Sequence, residues 1–386
     1  MLTLKFAIKN LIGAGLRTWL NSLTLGISMV IIVMLQGLYQ GMEDTMKKAR
    51  ISDEVGEGQY WQNSYDALDP LSFETGHSAV PTELKELIAE GRAAPLLVAT
   101  AAIYPQGRMQ NVTLKGIDPS QNILGIPSGK LSAHAQSDLL ILGRRMADQL
   151  GIREGELITI RYKTAKGAMD ARDFTVAHVF KSNVPAVDIG QLWISLSTLE
   201  SMLELKDEAS IIILGTKDVP KTVPNFKYKS QDELLQDTIA FIKAKNRQGR
   251  IIYALLIFVT MISIFDTQVL AVFRRRREIG LLMALGLTQR FIVGLFTVEG
   301  LLHGFFAGVL GLIIGTPILS YMSRSGIPLP GITDRMGLAA NIIYPVFSWQ
   351  LFSGTFAIIM AILCVVCYLP VKGISSLQPT QALRGS

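Results

Sequence analysis

The sequence is short of cysteine, histidine and charge. Its 386 residues include two cysteines, Cys364 and Cys367, both in a run rich in Leu, Val and Ile. A disulfide framework is thereby excluded for any aqueous part of the chain. With no histidine or further cysteine nearby, the pair reads as small hydrophobes rather than as a redox or metal site. His77, His134 and His178 are scattered and lack metal-ligand spacing. Charged residues make up 18% of the chain, too few for an ordinary soluble protein. A mean hydropathy of +0.35 is nevertheless too low for a chain lying wholly in lipid. A nucleotide loop is also missing. Gly125-Ile-Pro-Ser-Gly129-Lys130-Leu131 approaches one, but three residues rather than four separate its glycines, and Leu follows the lysine where Ser or Thr is needed. With no nucleophile, metal or cofactor constellation either, the chain does not read as an enzyme.

Four apolar stretches are present, each long enough for the roughly 20 helical residues that cross a bilayer. The expected order is a cytoplasmic N-terminus at 1–17, a first span at 18–40, an outer domain with stalk helices at 41–249, and a second span at 250–273. A cytoplasmic helix at 274–290, a third span at 291–322, an outer loop at 323–346, a fourth span at 347–370 and a cytoplasmic tail at 371–386 complete it. The first stretch follows Lys5, Lys9 and Arg17 like a signal peptide. It ends in Leu-Tyr-Gln-Gly-Met-Glu without a small-residue cleavage site, so it reads as an uncleaved anchor. Lys5, Lys9 and Arg17, then Arg274 to Arg277 with Arg290, then Lys372 with Arg384 all fall on one side of a four-span chain. That side is assigned to the cytoplasm. The net charge of +6 is thus topological and does not point to nucleic acid.

Residues 41–249 read as an α+β domain. Strands are expected at 157–162, 174–180 and 210–214, and helices at 81–90, 138–150 and 197–205. Residues 42–50 and 230–249 read as helices continuous with spans one and two, forming a stalk. Inside the spans, Asp266 and Glu299 lie seven or eight residues from the cytoplasmic side, about 10–12 Å deep at 1.5 Å per residue. Carboxylates there should face protein or water. His303 is one turn beyond Glu299. The three either respond to a conformational change or carry protons, or they fix packing. Gly300, Gly304, Gly308, Gly311 and Gly315 follow the small-residue spacing that lets helices approach closely, within the chain or against a second subunit. Pro317 is placed to bend the third span.

The stretch from Arg274 is the most specific. Four arginines precede Ile279, Leu282, Met283, Leu285 and Gly286, an apolar face on a helix too short to span. Such a helix lies on a membrane surface or docks in a partner's groove. Arg277-Glu-Ile-Gly-Leu-Leu-Met-Ala-Leu-Gly286 resembles the RREIGLLRALG signature of FtsX-like ABC-transporter permeases, departing from it at Met283, where the family often has Arg or Lys. Glu299-Gly-Leu-Leu is similar to the family's opening of the third span. The tail from Pro370 through Pro379 to Ala382-Leu-Arg384 is similar to its closing motif.

The resemblance implies a non-catalytic, mechanotransmission-type permease subunit of the bacterial inner membrane, with its large domain in the periplasm. It would pair with a second permease subunit, identical or not, among membrane lipids. A separate cytoplasmic ATPase would use ATP and magnesium, this chain binding no cofactor itself. The ATPase-coupling residues it implies are Arg275, Arg276, Arg277, Glu278, Ile279, Gly280, Leu282, Leu285 and Gly286. In the outer domain, Gly116-Ile-Asp-Pro119, Leu140-Ile-Leu-Gly143-Arg-Arg-Met-Ala147 and Leu150-Gly-Ile-Arg-Glu-Gly155-Glu are similar to lipoprotein-releasing permeases of the Lol type. That implies lipoprotein cargo and a periplasmic carrier. Alternatives are a MacB-like exporter of peptides, macrolides or other amphiphiles, and an FtsX-like regulator of a cell-wall hydrolase.

Overall fold

Alternation of apolar and polar residues builds most of the chain between the first two long apolar runs. The computed structural model describes residues 16–132, 138–220, 222–328 and 342–375. His134, Asp334, Arg335 and the Pro379–Arg384 end of the tail motif lie outside them, as do Lys5 and Lys9. In chain order the elements are α1 (Leu16–Arg50), β1 (Gly58–Gln62), β2 (Ser78–Ala79), α2 (Thr82–Ala89), β3 (Ala93–Ile103), β4 (Gln110–Ile117), β5 (Leu139–Gly143) and α3 (Arg144–Leu150). Next are β6 (Leu157–Lys163), β7 (Met169–Phe180), α4 (Pro185–Asp188), β8 (Gln191–Ser195), α5 (Leu196–Leu203), β9 (Glu208–Ala209), β10 (Ile211–Leu214) and β11 (Phe226–Ser230). The remainder are α6 (Gln231–Leu234), α7 (Gln236–Arg274), α8 (Arg276–Ala284), α9 (Gln289–Ser325), β12 (Ile327–Pro328), β13 (Ile342–Ile343) and α10 (Trp349–Ser375).

The chain divides into two units. One, the outer unit of the expected topology, comprises residues 44–242 with 328–342 and is built on one nine-stranded sheet of order β11-β1-β10-β3-β4-β8-β5-β7-β6. A further β3–β6 pairing, Ala101 to Tyr162 through Ile103 to Ile160, closes six of these strands into a barrel. Strand β6 shows why: Ile158, Ile160 and Tyr162 point inward, while Thr159, Arg161 and Lys163 point out. Leu97, Ala99, Ala101 and Ile103 of β3 meet them in the barrel core, together with Met146 of α3 and Leu199 of α5. Strand β10 is apolar throughout because both its faces are covered. Ile212 and Leu214 pack with Tyr60 and Leu84 on one side, and Ile211 and Ile213 with Leu96 and Val98 on the other.

One expectation fails in this unit. Residues 138–150 are not one helix: 139–143 form β5, all five buried, and only 144–150 are helical. A short apolar run does not distinguish a buried strand from a buried helix. Here the run lies between β7 and β8, where the sheet claims it. The other expected helices shift by a residue or two at their ends, to 82–89 and 196–203. Strand β7 extends back to Met169. Helix α1 continues unbroken to Arg50, as expected for residues 42–50. At the other end Ser230 caps the four-residue α6, its Oγ accepting from Glu233 N at 3.2 Å, and α7 follows at Gln236. Arg50 Nη1 donates to Thr238 Oγ1 at 3.2 Å, tying the last turn of α1 to the first turn of α7.

Four described helices are long and apolar enough to cross a membrane: Ser22–Val55, Gln236–Asp266, Gln289–Ser325 and Trp349–Leu369. The second unit is built on them. Leu25 and Met29 of α1, Ala307 of α9, and Ile359, Leu363 and Cys367 of α10 form its core, with Ile264 of α7 against them. The expected glycine stripe is used within the chain, on two faces. Gly304 lies against Leu363 and Met360, and Gly308 against Phe356, all of α10. Gly311 meets the backbone of Gly26, and Gly315 meets Val30, both on α1. Gly300 is buried as well. A Cβ at Gly26 would stand 2.9 Å from the carbonyl oxygen of Ala307, so this approach needs glycine. Pro317 lies inside α9.

Candidate coupling site

The site is the junction of α7, α8 and α9. The helix stops at Arg274, and Arg275 leaves helical geometry with φ −98° and ψ 15°. Helix α8 runs for nine residues to Ala284, and just past its cap residue Leu285 stands Gly286, whose φ of 92° is open to glycine at little cost. Two residues later Thr288 caps α9, its side-chain oxygen accepting from Phe291 N. Each boundary is therefore local chemistry readable in the sequence.

Helix α8 is held by one face. Ile279 is only 1% exposed and packs with Val272 of α7 and with Ile292, Val293 and Phe296 of α9; Met283, one turn on, joins the same cluster. Burying Ile279 contributes about 1.5–3 kcal/mol. Gly280 is also buried. The opposite face carries Leu281, 58% exposed, and Leu285, 73% exposed. Four residues apart, they share one side of the helix. Leu281 is missing from the residues implied by the signature. Its spacing from Leu285 is the signal that identifies it. The side chains of Arg276, Arg277, Glu278 and Leu282 lie outside the described residues.

Arg275 and Glu299, expected to serve separate roles, are brought together. Arg275 Nη1 donates to both carboxylate oxygens of Glu299, at 3.1 and 3.0 Å, and its guanidinium lies 4.9 Å from the Phe296 ring centre. Both side chains are largely withdrawn from solvent. The pair joins the start of α8 to the third turn of α9 and gives the Glu299 carboxylate the partner expected of a charge in an apolar helix. His303 Nδ1 is 2.8 Å from the Glu299 carbonyl oxygen, and Ser22 Oγ donates to the His303 carbonyl at 3.4 Å. Asp266 is exposed on α7. Glu299 and His303 thus share one helix face, while Asp266 is not joined to them by a hydrogen bond among the described residues.

In the outer unit, His77 contacts Glu208 of β9, and His178 of β7 contacts Glu154, two separate side-chain pairs. Burial pushes the Asp188 carboxyl up, opposed by backbone N–H groups and by Arg145. Glu154 is held below the usual carboxylate range by the Val179 N–H and then by His178. Neither carboxylate borders a cavity described below.

Residues 18–222 match the MacB-like periplasmic core domain, and residues 250–379 match the FtsX-like permease C-terminal domain. The chain belongs to the FtsX-like ABC transporter permeases. The permease is 25% identical over 248 residues to the lipoprotein-releasing system transmembrane protein LolC of Neisseria meningitidis serogroup B, covering 58% of this chain and 60% of that protein. It is 21% identical over 322 residues to LolC of Xylella fastidiosa, covering 76% and 77% of the two chains. It is 28% identical over 127 residues to the macrolide export ATP-binding/permease protein MacB of Sodalis glossinidius, covering 33% and 18%. The match thus spans under two thirds of the Neisseria protein. Permeases of this family are membrane proteins.

Proposed function

We propose that the permease is the non-catalytic subunit of a transporter that releases lipoproteins from the bacterial inner membrane. A cytoplasmic ATPase would dock on α8 and spend its ATP–magnesium cycle moving α8 against the spans. The observation that carries the coupling is the two-sided character of α8. One face is anchored on α9 by Ile279 and Met283, and Arg275 before it is paired with Glu299. The other presents Leu281 and Leu285 as an apolar pair suited to a groove. Lipoprotein cargo is supported by the two LolC relatives, whose matches extend over more of this chain than the MacB relative does. A second permease subunit, identical or different, would complete the transporter.

The test is purification of the chain from its own membranes under mild detergent, with mass spectrometry of what accompanies it. An ABC ATPase and acylated lipoproteins are expected. In proteoliposomes ATP should then drive release of the lipoprotein to a soluble carrier. Association with an outer-membrane channel and ATP-dependent transport of macrolides or peptides would replace this reading by export of the MacB kind. Association with a cell-wall hydrolase and no transport would replace it by a regulatory role.

A further inference from the structure

The barrel of the outer unit carries a trough on its outside, over the seam where β3 pairs with β6. Outward positions along one cross-strand row are Asn111 of β4, Ala102 of β3 and Arg161 of β6. The next row has Thr113 opposite Thr100. Strand β3, in the middle, therefore carries only a methyl group and a threonine between longer neighbours, and a cavity of about 460 Å³ lies over it. That volume is within the range of about 300–1,000 Å³ seen in sites that hold small molecules.

Two features give the trough a chemical character. Its rim gathers large apolar side chains that nothing in the unit covers: Met109 is 62% exposed, Met169 is 56% exposed, and Tyr104 stands beside them. Converging exposed apolar groups mark binding surfaces, and methionine suits flexible chains because its thioether adapts to their shape. The second feature is charge. Lys163 on the rim is neutralised by Glu74 at 2.7 Å. Arg161, two residues earlier on the same strand, reaches only the Tyr104 hydroxyl at 3.5 Å and has no carboxylate partner among the described residues. One uncompensated guanidinium thus stands at the side of an apolar channel.

We propose that this trough binds a single-chain amphiphile with one anionic head group, the head at Arg161 and the chain over Ala102 between Met109 and Met169. The inference is independent of the cargo and of ATPase docking, since it rests on the outer unit alone. A guanidinium donates to a carboxylate or a phosphate equally well in geometry, so the anion defines the class and its source is a matter for the test.

The test is calorimetric titration of the full chain in nanodiscs, with empty nanodiscs subtracted, using dodecanoate, dodecyl phosphate and dodecyltrimethylammonium below their micelle concentrations. Saturable one-to-one binding is expected for one or both anions and not for the cation. Tighter dodecyl phosphate points to a lipid head group as the natural source, and tighter dodecanoate to a fatty acid. Arg161→Gln should weaken the anions about tenfold, the loss expected for one charge-assisted contact. Met169→Glu should abolish binding by placing a like charge beside the chain. Both positions are exposed, so thermal melting should be unchanged. Equal binding of the cation, unaltered binding by both variants, or no saturable binding of either anion would overturn the proposal.

Discussion

Lys115 is the residue most at odds with its surroundings. It is almost fully buried on β4, 4.9 Å from the Trp193 ring. Burial pushes its amine below the ordinary lysine value, with Arg50 adding to the effect and Glu54 opposing it. The folded chain therefore gives up this proton at a lower pH than the unfolded chain. Over that window the unfolded state binds more protons, so stability rises with pH and levels off once the unfolded lysine also titrates. Lys115→Met should stabilise the outer unit at neutral pH by about 1–2 kcal/mol and flatten the alkaline rise. Thermal melts between neutral pH and pH 10.5 would measure both. A loss of stability at neutral pH would show that the cation's contact with Trp193 outweighs its desolvation. A second residue-scale case is Gly26. Replacing it with Val should separate α1 from α9 and lower thermal stability by about 2 kcal/mol or more, since backbone cannot give way as a flexible side chain can. The glycines of α9 were legible as a packing stripe from their spacing. Their partners were not, because Gly26 lies in a different apolar run and only the packed helices bring it to Gly311.

At the scale of elements, α8 is tied more firmly to α9 than to the helix it follows in sequence. Its buried contacts include one residue of α7, Val272, and three of α9. A push on α8 should therefore travel into the third apolar helix through Ile279 and the Arg275–Glu299 pair. Removing one partner of this part-buried pair costs about 1–3 kcal/mol, less than for a fully buried one, because the other is left without its partner but still reached by solvent. Arg275→Gln and Glu299→Gln should each reduce stimulation of the partner ATPase while leaving co-purification intact, and the exchange Arg275→Glu with Glu299→Arg should recover part of it. Recovery would separate the pair from docking; equal damage by the exchange would indicate that position, not pairing, matters. Leu281→Asp with Leu285→Asp should do the opposite, preventing co-purification while leaving the chain folded. The sequence made α8 visible because its ends are local: an arginine run, Gly286 and the Thr288 cap. It did not reveal that Arg275 turns to Glu299, since the partners are 24 residues apart. The outer-domain phrases similar to Lol-type permeases show a related limit. Gly143 is pressed against Asp188 backbone, Gly116 against Leu199, and Gly151 and Gly155 take positive φ. These positions report turns and close packing, so they identify the fold well and the cargo poorly. Strand β5 was misread for the converse reason, as its five apolar residues carry no period of their own.

For the whole molecule, the order of apolar runs is the plainest feature of the sequence, and four described helices of suitable length and composition overlap those runs. The proposed orientation rests on charge. The short segments assigned to the cytoplasm carry Lys5, Lys9 and Arg17, then Arg274 to Arg277 and Arg290, then Lys372 and Arg384, against Arg324 and Arg335 in the outer loop. Lys47, Lys48 and Arg50 also follow the first run, on the opposite side. In the proposed orientation they would belong to a long translocated domain, where such charges have little influence on orientation. The orientation can be checked on a chain carrying Cys364→Ala and Cys367→Ala, with one new cysteine at a time. In intact spheroplasts a membrane-impermeant maleimide should label Lys130→Cys at once and Glu278→Cys only after permeabilisation. Residue 130 lies in the outer unit and residue 278 in the other, so the two positions sample both assigned sides. Labelling of residue 278 without permeabilisation would put α8 outside, beyond the reach of any cytoplasmic ATPase, and would remove the basis of coupling through Leu281 and Leu285. Labelling of neither residue before permeabilisation would put both on the inner side, so that α7, the one long apolar helix between them, would not cross the membrane.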